Sequence, residues 1–106
     1  MVASVVAKAR RGGVDWVYID AGVFNALMET ICGFSYELST LKAGPTREVT
    51  LAGPSCDSVD VMFRGIALPE VEVGDRVFIH NAGAYTTVYA SSFNGFPPPA
   101  VYLLNE

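Results

Sequence analysis

Apolar and polar side chains alternate most clearly between residues 14 and 20. Trp16, Tyr18 and Asp20 fall on one face of this segment, and Val17 and Ile19 fall on the other. A period of two residues is typical of a β-strand with one buried face. The pattern therefore predicts a strand over residues 14–20 that places Asp20 at its end.

A helical period replaces the alternation after the break at Ala21-Gly22. Four apolar residues recur at helical spacing before Gly33, namely Phe24, Leu27, Met28 and Ile31. Glycine is common directly after the end of a helix. The spacing predicts one short helix in this part of the chain, ending at Gly33.

Short runs of β-branched and aromatic residues, which favour strands, dominate the rest of the chain. Turn-forming residues separate the runs at positions 43–45, 53–54 and 73–75. Further strands are predicted at residues 35–38, 47–51, 59–63, 76–79 and 101–104. Residues 84–93 are compatible with either strand or helix, and the prolines at 97–99 impose an extended segment.

Several short strands separated by turns predict the fold class. We expect a mostly β domain, a Greek-key β-barrel or sandwich with one or two short helices. A chain of 106 residues fits one such domain over residues 1–106. That length is sufficient for a hydrophobic core without disulfides or metal.

Composition and charge exclude some classes of partner. Seven basic and eleven acidic side chains give a net charge of −4, which provides no attraction for nucleic acid. No apolar run approaches the roughly 18 residues of a membrane helix, and the first seven residues precede the basic ones, the wrong order for a signal peptide. We therefore expect a cytoplasmic protein with no membrane partner. The apolar fraction of 51% suggests a surface that contacts another protein.

The cysteines and the histidine do not indicate a metal site. Cys32 and Cys56 are far apart, no Cys-x-x-Cys motif is present, and His80 is the single histidine. Neither structural zinc nor a disulfide framework is therefore expected, and both thiols are expected to be reduced. His80 has no relay partner nearby in sequence and is given no role.

Three polar clusters, at residues 53–58, 83–86 and 92–96, are interpreted as loops. Taken singly, Cys56 is most simply a small buried residue and Asp57 a turn or cap residue. A neighbouring carboxylate would favour the protonated thiol, and so a proton donor over a nucleophile. Tyr85 is most simply a half-buried aromatic, although its hydroxyl could bind an anion such as phosphate.

The clusters together resemble motifs of the ornithine decarboxylase family. Residues 53–60, Gly-Pro-Ser-Cys-Asp-Ser-Val-Asp, resemble its Cys-Asp motif. Val-Gly-Asp at 73–75, Gly-Ala-Tyr-Thr at 83–86 and Ser-Phe-Asn-Gly-Phe at 92–96 are similar to its closing motifs. Residues 20–24 resemble its acidic entry motif, so the resemblance extends from about residue 14 to the C-terminus.

The resemblance implies a fold and a set of partners. The family has an alanine-racemase-like fold type, with an N-terminal (β/α)8 barrel that carries pyridoxal 5′-phosphate (PLP) on a lysine, followed by a β domain. This chain resembles the β domain only. The resemblance implies a homodimer with shared active sites, ornithine or lysine as a diamino-acid substrate, and a role in polyamine biosynthesis.

Roles for individual residues also follow from the resemblance. Cys56 would return a proton to the α-carbon after carbon dioxide leaves, and Asp57 would bind the distal ammonium of the substrate. Tyr85 would bond the PLP phosphate, and Phe93 with Asn94 would line the pocket shared with the dimer partner.

The entry motif implies one further role, in which Asp20 would be a second ligand of the substrate amine. The family pattern places its acidic residue directly before glycine, whereas Ala21 stands before Gly22 here.

Only Lys8 and Lys42 are present, and neither lies in a segment like the cofactor strand of the barrel. We therefore expect no bound cofactor and no activity for this chain alone, with a second copy or the parent enzyme's barrel as its partner. An excised domain, a fragment and a natural small protein all remain open. So do two other functions, a non-catalytic β module for protein interaction or dimerisation and a small-molecule-binding barrel that uses Cys56, Asp57 and Tyr85.

Overall fold

The structure is a computed structural model that describes residues 1–83 and 85–104. The described residues contain six strands and two 3-10 helices. The strands are β1 (Val2–Arg11), β2 (Val14–Ile19), β3 (Leu38–Thr40), β4 (Thr46–Ala52), β5 (Val61–Pro69) and β6 (Arg76–Ile79). The 3-10 helices span Met28–Cys32 and Phe93–Gly95.

All six strands belong to one sheet in the order β3-β6-β1-β2-β4-β5. Neighbouring strands are antiparallel except for β2 and β4, which run parallel. The edge strands β3 and β5 also contact each other, so the sheet curls almost into a closed barrel. The prediction of a mostly β, barrel-like fold with short helices is therefore confirmed.

Strand β1 connects the two halves of the sheet. Its first residues pair with β6, and the segment from Val5 to Arg11 pairs with β2. The register shifts at Val6, where a β-bulge bends the strand. The sequence pattern did not indicate β1, because the bulge interrupts the alternation in the middle of the strand.

The hydrophobic core lies inside the curled sheet. The predicted inner face of β2 is confirmed, because Val17 and Ile19 are buried while Trp16 and Tyr18 are partly exposed. The largest fully buried side chains come from every strand except β3 and from the loops after β2 and β5, and they include Ile19, Leu27, Leu51, Leu68 and Ile79.

The predicted helix is shorter than its apolar spacing suggested. Turns replace its first half, and a 3-10 helix over Met28–Cys32 ends at Gly33, whose φ of 86° is left-handed. Ile31 is exposed, so the apolar periodicity did not mark one buried face. Packing of the loop onto the sheet determines its shape here more than helical propensity does.

The strands predicted at 47–51 and 76–79 are confirmed. The strands predicted at 35–38 and 59–63 are displaced toward the C-terminus and correspond to β3 and β5. Strand β5 is irregular, since Gly65 has a φ of 73° and the register with β4 shifts twice.

The strand predicted at 101–104 is wrong. Val101, Tyr102, Leu103 and Leu104 are 71–94% exposed and pair with no strand of the described chain. Residues 85–89 form turns instead of a strand.

No helix within the described ranges is long and apolar enough to cross a membrane.

Asp75 gives the fold a measurable pH dependence. Its Oδ2 accepts a hydrogen bond of 2.8 Å from the Glu72 N–H in the turn between β5 and β6, and Lys42 lies 3.0 Å away. The Glu72 N–H and the Lys42 ammonium hold the pKa of Asp75 below its ordinary value of 3.8. A lowered folded-state pKa contributes stability above the unfolded pKa, and this contribution is lost as the pH falls.

We predict that Asp75→Asn lowers the free energy of unfolding at neutral pH. The difference from the wild type should shrink as the pH falls through about 4, because the wild-type carboxylate is then protonated. Urea denaturation of both proteins between neutral and acid pH measures this. A difference that did not depend on pH would contradict the assignment.

Candidate functional site

The loop from residue 53 to residue 60 connects β4 to β5 and carries Cys56 and Asp57. Cys56 is exposed, so the interpretation of this residue as a buried core cysteine is wrong. Its φ of 66° lies in the left-handed region, which costs a non-glycine residue about 1 kcal/mol or more. Such strain persists only where neighbouring contacts enforce it, and it is common at functional sites.

Asp57 forms a tight turn, which confirms the interpretation of this residue, taken singly, as a turn or cap residue. Its Oδ1 accepts a hydrogen bond of 2.9 Å from the Val59 N–H. The other carboxylate oxygen accepts no hydrogen bond from the residues that the structure describes. Asp57 can therefore keep its turn and still bind a cation.

Cys56 and Asp57 face an open cleft of about 600 Å³. Trp16 also lines this cleft, with the guanidinium carbon of Arg11 4.4 Å and that of Arg64 5.8 Å from its ring centroid. Sequence reasoning missed these three residues. Arg11 and Trp16 lie on the two strands of the β1–β2 hairpin, whereas Arg64 comes from β5, which is not adjacent to β2 in the sheet. The lining of the cleft thus includes a thiol, two carboxylates, two guanidinium groups and two aromatic rings.

The motif at residues 92–96 lies against the Cys56 loop. The side-chain amide of Asn94 donates a hydrogen bond of 2.7 Å to the carbonyl oxygen of Ser55, the residue directly before Cys56. The ring of Phe93 packs on Phe24, with 4.4 Å between the centroids. Two motifs separated by almost 40 residues in sequence are therefore in contact.

Asp20 and Tyr85 are placed differently from Cys56. The Asp20 Oδ1 accepts a hydrogen bond of 2.9 Å from the Ser4 N–H, which commits that oxygen to the end of β1. Tyr85 is 53% exposed and stacks on Tyr89 at a centroid distance of 5.5 Å. Neither residue lines the Cys56 cleft. Ala84, within the predicted motif 83–86, lies outside the described residues.

The two lysines lie away from the cleft. Lys8 pairs with Glu70, whose hydrogen bond raises the lysine pKa, and Lys42 pairs with Asp75. Neither lysine lines the cleft that contains Cys56. Over residues 1–83 and 85–104, no three histidine, cysteine or acidic side chains cluster in a way that could hold a metal ion.

Sequence reasoning also assigned no role to Asp60, whose carboxylate is buried behind the loop. It accepts hydrogen bonds from Val23 and Ser55 and so connects the loop after β2 to the loop after β4. An acidic residue directly before an apolar strand was the available signal, but its partners could not be inferred from sequence.

Residues 1–83 match the family model described as the pyridoxal-dependent decarboxylase C-terminal sheet domain. The chain belongs to the pyridoxal-dependent decarboxylase family. Among curated relatives of this decarboxylase-family chain, a lysine/ornithine decarboxylase of Selenomonas ruminantium is 35% identical over 91% of the chain and 25% of its own length. A diaminopimelate decarboxylase of Archaeoglobus fulgidus is 38% identical over 94% of the chain and 25% of its own length.

Solved structures of decarboxylases have the same fold. The lysine/ornithine decarboxylase of Vibrio vulnificus, complexed with cadaverine, matches 99% of the chain and 29% of its own chain, with a TM-score of 0.92 and 39% identity. The arginine decarboxylase of Paramecium bursaria Chlorella virus, bound to agmatine, matches 90% and 27% with a TM-score of 0.82 and 31% identity. This decarboxylase-family chain spans about a quarter of the length of the relatives that it matches.

The left-handed backbone of Cys56 leads to a stability prediction for this decarboxylase-family chain. Cys56→Gly should be more stable than Cys56→Ala by about 0.5–1 kcal/mol, because glycine avoids the left-handed penalty of roughly 1–2 kcal/mol, which exceeds the additional conformational entropy that glycine loses on folding. Denaturant titration of the two variants measures the difference. An alanine variant as stable as the glycine variant would show that residue 56 does not hold this conformation in solution.

Proposed function

We propose that this chain is the C-terminal domain of a PLP-dependent decarboxylase of the ornithine/lysine type. In this proposal it supplies a proton donor and substrate-binding groups to an active site completed by another domain or subunit, and it is inactive alone. The observation that carries the proposal is the placement of the Cys56 thiol and the Asp57 carboxylate on one strained, exposed loop facing one cleft.

The donor set of the chain fits a partial PLP site. Lys8 and Lys42 are occupied in ion pairs away from the cleft, so neither is suited to hold the cofactor. The exposed Tyr85 hydroxyl and the neighbouring Gly83 backbone can approach a phosphate. When bound, PLP withdraws electrons from the α-carbon and so allows carbon dioxide to leave. The lysine that holds it would come from a (β/α)8 barrel in the parent enzyme.

Cys56 would act as a general acid. After carbon dioxide leaves, the α-carbon needs a proton, and the Cys56 S–H bond would supply it while the electron pair stays on sulfur. The thiol is exposed and its sulfur is held only loosely, 3.9 Å from the Pro54 carbonyl oxygen. A thiol in this environment is accessible to a substrate placed over the cleft.

Asp57 would select substrates with a second amine. The carboxylate oxygen left free by the Asp57 turn can accept a charge-assisted hydrogen bond from a distal ammonium. A substrate without that group would leave the carboxylate unpaired and bind more weakly. The relatives named for lysine, ornithine or arginine decarboxylation and the structures complexed with cadaverine or agmatine support this class of substrate.

The remaining assignments concern an interface with a second subunit. Phe93, half exposed on Phe24, and Asn94 beside the Cys56 loop would line the pocket shared with that subunit. Asp20 would bind the substrate amine through its second carboxylate oxygen, because the first accepts the Ser4 N–H. The parent enzyme would be a cytoplasmic homodimer in polyamine biosynthesis.

Cys56→Ala in the parent enzyme should alter the fate of the substrate after carbon dioxide leaves. We expect turnover to fall by about a hundredfold, since the positioned acid is lost. A proton delivered to the wrong carbon should raise the yield of aldehyde relative to diamine. Quantifying both products by chromatography measures this partition. An unchanged turnover and partition would rule out Cys56 as the proton donor.

Asp57→Ala provides the matched contrast. It should raise KM for diamino acids about tenfold or more, because the ammonium loses a charge-assisted hydrogen bond. The product partition should stay near that of the wild type.

The isolated chain incubated with PLP should release no carbon dioxide from ornithine or lysine, and release of carbon dioxide would refute the requirement for another domain.

A specific observation also favours a second candidate function, a protein-interaction module. The four consecutive residues Val101, Tyr102, Leu103 and Leu104 are 71–94% exposed and apolar. An apolar surface of this kind is typical of an interface with another protein or domain.

We predict that the isolated chain self-associates through this segment. Replacing Tyr102 and Leu103 by serine should shift the sedimentation coefficient toward that of a monomer. Leu41→Ser, at another highly exposed leucine, is the control and should leave it unchanged. A wild-type chain that stayed monomeric at high concentration would refute this prediction.

A further inference from the structure

The carboxylate of Asp60 is buried directly behind the Cys56 loop. The residue is 3% exposed and immediately precedes β5. Its Oδ1 accepts a hydrogen bond of 2.7 Å from the Val23 N–H, and its Oδ2 accepts two, of 3.0 Å and 2.6 Å, from the Ser55 N–H and hydroxyl. Burial of a charge is tolerated when such bonds replace water.

Two glycines make room for this carboxylate. A Cβ atom at Gly22 or at Gly53 would lie 2.4 Å from the Asp60 Oδ1, much closer than van der Waals contact allows. Neither glycine has a positive φ, so close approach rather than backbone conformation accounts for the lack of a side chain. The space between the loops after β2 and β4 therefore fits a carboxylate at this position and excludes additional side-chain atoms.

Ser55 transmits this arrangement to Cys56. Asp60 binds the N–H and hydroxyl of Ser55, and the Asn94 amide binds its carbonyl oxygen at 2.7 Å. That carbonyl belongs to the peptide bond between residues 55 and 56, so its orientation influences φ at Cys56. Hydrogen bonds therefore hold the N–H, the hydroxyl and the carbonyl of Ser55, the residue directly before the left-handed Cys56.

We propose that Asp60 is a positioning residue that acts through Ser55, together with Asn94, to hold Cys56 in its left-handed conformation and its thiol toward the cleft. The effect on proton delivery rests on the proposed function of Cys56. The effect on the conformation of the loop does not. The two effects can therefore be tested separately.

The first test measures alkylation of Cys56 in the chain itself by iodoacetamide. A Cys32→Ser background leaves Cys56 as the single thiol. The rate constant at high pH, where the thiol is fully ionised, reports the orientation and access of the sulfur without the influence of nearby charge on ionisation. Asp60→Asn and Asn94→Gly should each raise this limiting rate about threefold to tenfold, since each removes hydrogen bonds that hold the loop.

Asp75→Asn is the matched control for Asp60→Asn. It makes the same chemical change at another carboxylate that accepts a backbone N–H, and Asp75 lies in the turn between β5 and β6. Its limiting rate should equal that of the Cys32→Ser parent. If Asp60→Asn does not fold, Asn94→Gly decides the test, because Asn94 is exposed, contributes one side-chain bond to Ser55, and has a left-handed φ of 56° that glycine adopts without strain. Limiting rates unchanged in the folded variants would overturn the proposal.

The second test uses the parent enzyme and the ratio of aldehyde to diamine. This ratio does not depend on how much enzyme is folded, so a purely structural defect would not move it. Asp60→Asn should raise the ratio in the wild-type background and have no further effect in Cys56→Ala, where the positioned group is absent. An equal increase in both backgrounds would overturn the positioning role.

The two tests also separate this proposal from the proposed function. Faster alkylation of Asp60→Asn and Asn94→Gly, combined with an unchanged product ratio in Cys56→Ala, would retain the positioning of the loop and reject Cys56 as the proton donor. A changed product ratio in Cys56→Ala with parental alkylation rates would retain the proton donor and reject Asp60 as the residue that positions it.

Discussion

The parallel pairing of β2 with β4 determines where the loops of the candidate site meet. Tyr18 and Ala52 are opposite each other near the ends of these strands, so both strands end at the same side of the sheet. A parallel pair cannot be closed by a tight turn and needs a long connection. Residues 20–45 provide it, with a 3-10 helix and β3. The loops that follow the two strands are consequently neighbours, and the Asp60 carboxylate lies between them.

The hydrogen bonds of this carboxylate explain why the site is ordered although its central loop is exposed. Residues 53–60 have little apolar side-chain surface to bury, so packing alone would not define one conformation. The loop also closes on itself, because the Gly53 N–H donates to the Asp60 carbonyl and the Asp60 N–H donates to the Asp57 carbonyl. Polar contacts thus replace a hydrophobic core as the source of order around Cys56.

The sequence predicted the elements whose environment repeats regularly along the chain. Strands β2 and β6 were located almost to the residue because one face of each is buried, which gives a clear alternation. Strand β1 was not predicted, since its bulge at Val6 breaks that alternation. The apolar residues 101–104 were mistaken for a strand because local composition does not show whether a partner strand is available.

The candidate site could be predicted in part for a related reason. The motif around Cys56 and Asp57 is contiguous, so it could be identified from the amino-acid sequence alone. The Asp60 contact with Val23 joins residues 37 positions apart, and Arg64 approaches Trp16 from a strand that is not adjacent to β2 in the sheet. Interactions of this kind depend on the tertiary fold and leave no local pattern.

The irregular edge of the sheet affects how copies of the chain can meet. An exposed edge strand offers unpaired N–H and C=O groups to another molecule, which is a common start of fibril growth. Here β5 contains the left-handed Gly65 and ends at Pro69, while β3 has three residues and contacts β5. Neither edge presents a long, regular row of backbone groups. Two copies are therefore expected to associate through side chains, in a finite and reversible assembly, rather than by extending the sheet without limit.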